Sequence, residues 1–321
     1  MVDAARRNTR RPGAAALVGM LGLVACGAGG DGSGAQPAVA DASATSTGSV
    51  PSAASSVAPI TAERIVPVNG DLAEVVYALG LGEQVVATDI SATYPPEADE
   101  TPKIGYQRTL VAETILSFEP TVVLADDLAG PAEVLDQLRD AGVRVVQIEE
   151  QTSLDAPAAK IRAVAEALGV PDRGEELVSE LEADLVAAEA QVAEVDQDGR
   201  PRVLALYLRG SAVQQVFGDG SGIDAVIEAA GGTDLGTEMG VVDNAQLSIE
   251  SIIAAQPEVL LVTTSGLESV GGVDGLLSIP GIDRTPAARD RRVVAFEDQD
   301  LYGLGPRTGQ LVGELAGAIH E

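Results

Sequence analysis

The sequence predicts an α/β fold with two lobes, each a parallel sheet between two layers of helices, joined by a single long helix. Short apolar strands alternate with short helices on both sides of a helical stretch, residues 154–195. Such alternation is typical of parallel sheets that are covered by helices on both faces. A local repeat supports two lobes: segments 110–126 and 247–263 share the same residue at six of seventeen aligned positions, and each predicts a helix, a proline and an apolar strand.

The helical stretch contains two runs that are separated at residues 169–172. Gly169 is typical of a helix end, and Pro171 of a helix start. In the second run, apolar residues recur at spacings of three and four and give the helix one apolar face: Leu177, Leu181, Leu185 and Ala188. At about 1.5 Å per residue, this run spans about 30 Å. A continuous helix has no loop that could absorb a change in backbone angles, so we expect little opening between the lobes.

The first lobe, residues 61–153, is predicted from local signals. Apolar runs predict strands at 64–68, 85–88 and 143–148. Asp71 is expected to cap a helix that runs to Ala78. A second helix is predicted at 131–141 from its apolar spacing.

After the connecting segment, residues 154–198, the second lobe covers residues 199–321. Strands are predicted at 203–206, 259–262 and 293–296, because each is a short apolar run with β-branched residues. Helices are predicted at 223–230 and 313–320.

The N-terminus predicts export and a lipid anchor. A basic leader precedes an apolar run, residues 14–24, that is too short to span a membrane. Cys26 follows this run and is the only cysteine, so it can form no internal disulfide. The position of Cys26 resembles a bacterial lipobox, which implies lipidation, a signal peptide at 1–26 and a location on the extracytoplasmic face of the membrane. Residues 27–60 are small and polar and predict a flexible tether.

Composition excludes several classes of function. With 49 acidic and 20 basic residues the net charge is -29, which argues against nucleic acid as a partner. The single histidine, His320, is next to the C-terminal residue, which argues against Ser-His-Asp, Cys-His and ordinary zinc sites. We therefore expect no enzyme, with a carboxylate-only hydrolase as the remaining catalytic alternative.

Two short stretches place a tyrosine two residues before an arginine. Tyr106 and Arg108 lie in the first lobe, and Tyr207 and Arg209 in the second, each near a predicted strand. In extended chain, residues i and i+2 share a face. A neighbouring guanidinium stabilises a phenolate, which is a hard oxygen donor suited to ferric iron. Arginine also pairs with carboxylates.

The lipobox, the polar tether and two α/β lobes joined by one helix together resemble the substrate-binding lipoproteins of ABC importers. The resemblance is to class III periplasmic binding proteins, which carry haem, siderophores and cobalamin. Segments 94–98 (Tyr-Pro-Pro-Glu-Ala), 104–106 (Ile-Gly-Tyr) and 305–307 (Gly-Pro-Arg) are similar to those of actinobacterial haem-binding members.

This resemblance implies ferric haem b as the transported ligand. Tyr106 and Tyr207 would then contact the iron, since the chain lacks a pocket histidine, and contact by both is favoured over a single tyrosine ligand. The resemblance further implies a haem pocket formed by Arg108, Arg209, Tyr302 and Arg307, with Tyr302 in the wall and Arg307 as a weaker propionate candidate. A ferric siderophore is an alternative because of the arginines, whereas cobalamin is less suited to a chain without tryptophan.

The resemblance also implies a partner. Glu113 and Glu250 are matched acids of the repeat, and they fall where this class places one glutamate on each lobe to pair with arginines of a permease dimer. The expected assembly is a monomeric binding protein that docks on the permease and its ATPase. The alternative is that both acids simply favour the starts of their helices.

Overall fold

The structure, a computed structural model, describes residues 64–195, 199–246 and 248–321. The predicted signal peptide, Cys26 and the tether 27–60 lie outside the described residues. Within these ranges, no helix combines the length and apolar content that a membrane span requires.

The N-terminal sheet has three parallel strands in the order β1-β2-β3. The strands are β1 (Ile65–Pro67), β2 (Val122–Ala125) and β3 (Arg144–Gln147). Alternate residues of β1 and β2 point to opposite faces, so that Ile65 and Leu124 enter one core and Val66 and Val123 the other. Helices bury both faces: α1 (Gly70–Ala78) packs into the first core, and α3 (Ala112–Leu116) and α4 (Ala132–Asp140) pack into the second. A short helix, α2 (Pro96–Asp99), packs on α1.

Two local predictions in this lobe are wrong. Residues 85–88 form no strand. The N–H of Val86 donates to the carbonyl of Ile65, whereas Thr88 pairs with Lys103 in another part of the chain. Because the segment changes partner within three residues, it forms no continuous ladder with either one. A 3-10 helix, Gly82–Gln84, precedes this segment. The cap of α1 is Asn69, whose side chain accepts from the N–H of Leu72 at 3.0 Å, and not Asp71.

The connecting segment consists of α5 (Ala156–Ala167) and α6 (Pro171–Val195). The apolar face of α6 packs into both lobes: Leu181 belongs to an N-terminal core and Ala188 to a C-terminal core, while Leu185 packs against both. A Cβ atom at Gly174 would lie only 2.5 Å from the Cβ of Ala165, so glycine permits the close approach of α5 and α6. One continuous helix thus supports both sheets.

The C-terminal sheet has six strands, with the order β7-β5-β4-β8-β9 and β6 beside β4. Its strands are β4 (Arg202–Arg209), β5 (Val213–Phe217), β6 (Thr233–Asp234), β7 (Asn244–Gln246), β8 (Val259–Thr263) and β9 (Val293–Phe296). The strands β6, β4, β8 and β9 are parallel, whereas β5 pairs antiparallel with both β4 and β7. The fold class is confirmed, and the β4–β5 hairpin is an addition that the sequence patterns did not predict.

The helices of the C-terminal lobe cover both faces of this sheet. Val203 and Leu261 enter one core, and Leu204 and Leu260 the other. The helices are α7 (Ile223–Ala229), α8 (Leu235–Glu238), α9 (Ile249–Ala255), α10 (Thr264–Ser269), α11 (Gly272–Leu277), α12 (Pro286–Asp290), α13 (Asp298–Gly303) and α14 (Thr308–His320).

Candidate functional site

Three aromatic rings form a cluster on one face of the C-terminal sheet. Tyr207 near the carboxyl end of β4 lies 5.9 Å from Phe217 of β5 and 5.9 Å from Tyr302 of α13, measured between ring centroids. Phe217 and Tyr302 are 5.5 Å apart. Because α13 follows β9, which is parallel to β4, the cluster forms where α/β sheets commonly bind ligands.

Arg209 extends this aromatic cluster with a positive charge. Its guanidinium carbon lies 4.6 Å from the ring centroid of Tyr207, which is a cation–π distance. Its Nη2 donates to Oδ1 of Asp298 at 2.7 Å, and its Nη1 donates to the carbonyl of Leu208 at 2.8 Å. Tyr207 and Arg209 thus share a face of β4, as their spacing predicted.

Tyr302 is half-buried, like Tyr207 and Phe217, but its hydroxyl oxygen is shielded from solvent. Burial raises the pKa of its phenol well above the usual value. Its hydroxyl oxygen is buried and makes no hydrogen bond within the part of the chain that the structure describes.

Tyr106 and Arg108 lie in a different setting. Tyr106 precedes a 3-10 helix, Gln107–Thr109, so Arg108 is not in extended chain and the i, i+2 relation does not apply to this pair. The Tyr106 residue is 42% exposed, and Arg108 is exposed as well. Among the described residues, no hydrogen bond, ion pair or ring contact joins either side chain to the aromatic cluster.

A buried polar layer lies behind the turn that carries Tyr106. Asp89 is fully buried, and burial raises its pKa to about 6 despite hydrogen bonds from the backbone and hydroxyl of Ser91. Oδ2 of Asp89 and Oε1 of Gln107 have no hydrogen-bond partner among the described residues. The charge of this layer therefore changes near pH 6.

Arg307 lies at the contact between the lobes. Its guanidinium donates to both carboxylate oxygens of Glu74 at 2.9 Å, pairs with Asp300 at 2.6 Å, and covers the ring of Tyr94 at 3.6 Å. Because two carboxylates already occupy these donors, the position favours a structural role for Arg307 over a contact with a propionate.

Gln299 makes further contacts between the lobes, which the sequence patterns did not indicate. Oε1 of Gln299 accepts from the N–H of Thr93 at 2.8 Å and of Tyr94 at 2.9 Å, and its Nε2 donates to the carbonyl of Gly70 at 2.9 Å. A Cβ atom at Gly70 would lie 2.4 Å from a backbone oxygen, so only glycine fits there. These bonds tie α13 to the N-terminal lobe.

Lys160 of α5 is buried between the lobes. It pairs with the buried carboxylate of Asp71 and with Glu150 at 3.6 Å, and it donates to the carbonyl of Gly303 at 2.8 Å. Burial raises the pKa of Glu150 to about 7, although Lys160 opposes this rise. The hydrogen bond from Lys160 to Gly303 thus holds the end of α13 against the N-terminal lobe.

A cavity of about 760 Å³ opens where α1, α6 and the start of α14 meet. Arg307 lines this cavity, but Tyr106, Tyr207 and Tyr302 do not. Its other charged lining residues are all acidic, namely Glu74, Glu83, Glu97, Glu180 and Asp184. This charge makes it ill suited to an anionic ligand, so the aromatic cluster is the better candidate site.

The repeated segments occupy equivalent positions in the two lobes. Glu113 lies in the first turn of α3 and Glu250 in the first turn of α9, and both are exposed. Each helix buries one isoleucine, Ile115 or Ile252, and leads into the central strand of a parallel set. Each lobe therefore has one of the two acids exposed in the first turn of the corresponding helix.

Comparison with known proteins finds similar solved structures, among them a periplasmic heme-binding protein. The structure of the periplasmic heme-binding protein RhuT from Roseiflexus sp. RS-1, in apo form, superposes with a TM-score of 0.78. The two sequences are 53% identical, and the match covers 81% of this chain and 98% of RhuT.

Two curated relatives are more distant. The uncharacterized ABC transporter substrate-binding lipoprotein YvrC of Bacillus subtilis (strain 168) is 24% identical over 262 residues, which is 80% of each protein. A cobalamin-binding protein of Halobacterium salinarum is 28% identical over 262 residues, which is 80% of this chain and 69% of that protein.

The family model described as periplasmic binding protein matches residues 65–299, from the first strand of the N-terminal sheet into α13. This range contains both sheets and the connecting helix. The chain therefore belongs to the periplasmic binding protein family.

Proposed function

We propose that this protein captures ferric haem between its lobes and delivers it to the permease of an ABC importer. The observation that carries the proposal is the cluster of Tyr207, Phe217 and Tyr302 with the guanidinium of Arg209 beside it. Aromatic rings offer a flat apolar surface to a porphyrin, and a phenol oxygen is a ligand that ferric haem iron accepts. The 53% identity with RhuT, a heme-binding protein, supports the same ligand.

Tyr207 is the proposed iron ligand of the C-terminal lobe. The proposed role of Arg209, whose guanidinium lies 4.6 Å from the centroid of the Tyr207 ring, is to stabilise negative charge on the phenol. Tyr106 is the proposed second ligand from the N-terminal lobe, where its exposure leaves the phenol free to meet a bound molecule. Arg108, which is also exposed, is the candidate partner for a propionate. His320 lies at the end of α14, 3.2 Å from the carbonyl of Ala230, and has no part in the proposed site.

Titration of the protein with haemin, cyanocobalamin and a ferric hydroxamate siderophore tests the proposal. We expect saturable binding of haemin with a shifted Soret band, and the EPR spectrum of high-spin ferric iron with a phenolate ligand. Cobalamin is the second candidate ligand, because the relative from Halobacterium salinarum is a cobalamin-binding protein. Saturable binding of cyanocobalamin or the siderophore, with none of haemin, would refute the haem assignment.

We further propose that the chain acts as a monomer on the extracytoplasmic face of the membrane, held there by a lipid on Cys26. The name of YvrC, a substrate-binding lipoprotein, supports this anchor, as does the sequence around Cys26.

The double variant Glu113→Arg/Glu250→Arg is expected to abolish haem uptake by cells and to leave the affinity for haemin unchanged. The reason is that one exposed acid on each lobe would pair with permease arginines, and a reversed charge at each would repel them. The measurement is uptake in cells that depend on this protein, together with a haemin titration of the purified variant.

The matched control is Glu133→Arg/Glu268→Arg, which reverses one exposed acid on α4 and one on α10. The control should transport haem normally. Normal transport by the Glu113/Glu250 variant would disprove the docking role.

A further inference from the structure

Two large apolar residues, Ile90 and Leu128, are exposed in loops of the N-terminal lobe. Ile90 is 56% exposed and Leu128 is 41% exposed. Exposed apolar residues that occur singly are normal, but those that gather in one place commonly mark a binding surface. The position of both residues relative to Tyr106, which is also exposed, distinguishes these two cases.

Backbone hydrogen bonds join the loops of Ile90 and Leu128 to the turn of Tyr106. The N–H of Ile90 donates to the carbonyl of the residue before Tyr106 at 3.0 Å. The carbonyl of the residue after Tyr106 accepts from the N–H of Gly130 at 2.8 Å, and Gly130 follows Leu128 by two positions. The three exposed residues therefore lie in one region of the surface, with one loop bonded on each side of Tyr106.

This region adjoins the boundary between the lobes. The loop of Ile90 continues to Thr93, whose N–H donates to Oε1 of Gln299 on α13 at 2.8 Å. The same helix carries Tyr302 of the aromatic cluster, three residues after Gln299. Leu128 follows β2 at its carboxyl end, which is the edge at which α/β sheets commonly bind ligands. The exposed region is therefore at the ligand-binding edge of its own sheet and beside a helix that contributes to the aromatic cluster.

The chemistry of Ile90 and Leu128 suits an apolar ligand. Both residues lie in turns, where glycine and small polar residues are most common. Neither residue belongs to a hydrophobic core of the described chain, so packing within the protein does not account for them. A ligand that removes these side chains from water gains free energy from their burial.

We propose that Ile90 and Leu128, on the two sides of Tyr106, pack against the ring of the bound porphyrin and form the apolar part of the site in the N-terminal lobe. The inference rests on the proposed function and adds two specificity-determining residues to it. A flat apolar ring covers both side chains, whereas a chelate with a polar surface gains little from them. The N-terminal lobe thus contributes to the choice of ligand through the ring as well as through the iron.

The test compares the double variant Ile90→Asn/Leu128→Asn with the wild type, using haemin and iron-free protoporphyrin IX. We expect the variant to raise the Kd for haemin about tenfold, because less apolar surface leaves water on binding. The Kd for protoporphyrin IX should rise by the same factor, since the lost contacts are with the ring and not with the iron. Without ligand, the melting temperature should not change, because both residues are exposed and asparagine is common in turns.

Two controls accompany the double variant. Val186→Asn makes the same kind of change at an exposed position on α6, away from the Tyr106 turn, and should bind both porphyrins as the wild type does. Ile90→Val/Leu128→Met keeps apolar side chains at both positions and should also retain the wild-type affinity.

Equal affinity of Ile90→Asn/Leu128→Asn and the wild type for both porphyrins overturns the inference. A loss confined to haemin also overturns it, because the two residues would then act through the iron ligand. Normal affinity with a loss of uptake by cells does the same, since it would assign this region to a contact with the permease. Failure of the wild type to bind either porphyrin refutes the proposed function and the inference together.

Discussion

Replacing Tyr207 by phenylalanine is expected to raise the Kd for haemin at least about 100-fold. The change keeps the ring contacts with Phe217 and Tyr302 but removes the oxygen that we assign to the iron. Loss of a group that only supports a metal ligand costs about 10–100-fold in affinity, so loss of the ligand itself should cost more. Haemin titration gives the affinity, and resonance Raman and EPR spectra of the ferric form report the loss of the phenolate.

Tyr106→Phe is expected to have a smaller effect, about tenfold, because its exposed turn holds the phenol less firmly than β4 holds Tyr207. Tyr94→Phe is the matched control, since Tyr94 is also 42% exposed but covers Arg307 instead of the site. A wild-type spectrum and affinity in Tyr207→Phe would show that Tyr207 is not the ligand. An effect confined to one of the two tyrosines would identify that residue as the sole axial ligand.

The variant Lys160→Met is expected to lower the free energy of unfolding by about 3–5 kcal/mol. Lys160 is only 3% exposed, and the change leaves the buried carboxylate of Asp71 without its cation. It also removes the donor to the carbonyl of Gly303. Urea unfolding at neutral pH, with the midpoint and slope compared with the wild type, measures the loss.

Arg162→Met is the matched control two residues along the same helix. Arg162 pairs with Glu175 at 3.0 Å, but both side chains are exposed, so its loss should change the free energy of unfolding very little. Adding Asp71→Asn to Lys160→Met removes the unpaired charge and should recover part of the stability. Equal small losses in Lys160→Met and Arg162→Met would mean that the buried pair contributes little.

The fold was predictable because its signals are local. Strand β9 has the predicted bounds, and β4 extends its predicted core by three residues at the C-terminal end, since an apolar run between polar residues identifies a buried strand without knowledge of its neighbours. Residues 85–88 are a similar short apolar run but form no strand, because a strand also needs a neighbouring segment that can pair with it along its length. The hairpin strand β5 was not predicted, because its sequence, Val-Gln-Gln-Val-Phe, is a weak apolar pattern. It forms a strand because it pairs with β4, and the sequence of β5 alone does not show this pairing.

The candidate site was also predictable only where its signals are local. The spacing of Tyr207 and Arg209 predicted a shared face correctly, because both residues lie in a strand. The same spacing at Tyr106 and Arg108 did not, because a 3-10 helix intervenes. Phe217 and Asp298 complete the cluster from distant parts of the chain, and no local pattern could connect them with β4.

The bonds of Gln299 to the backbone of Gly70, Thr93 and Tyr94 have a consequence for the delivery of a ligand. They join α13 to the N-terminal lobe, so any separation of the lobes at this point must break them. Release of a ligand by separation of the lobes must then break the same hydrogen bonds. In a carrier of the proposed kind, the permease and its ATPase must supply the free energy that separates the lobes. The strength of the Gln299 contacts then sets how much free energy each transport cycle requires.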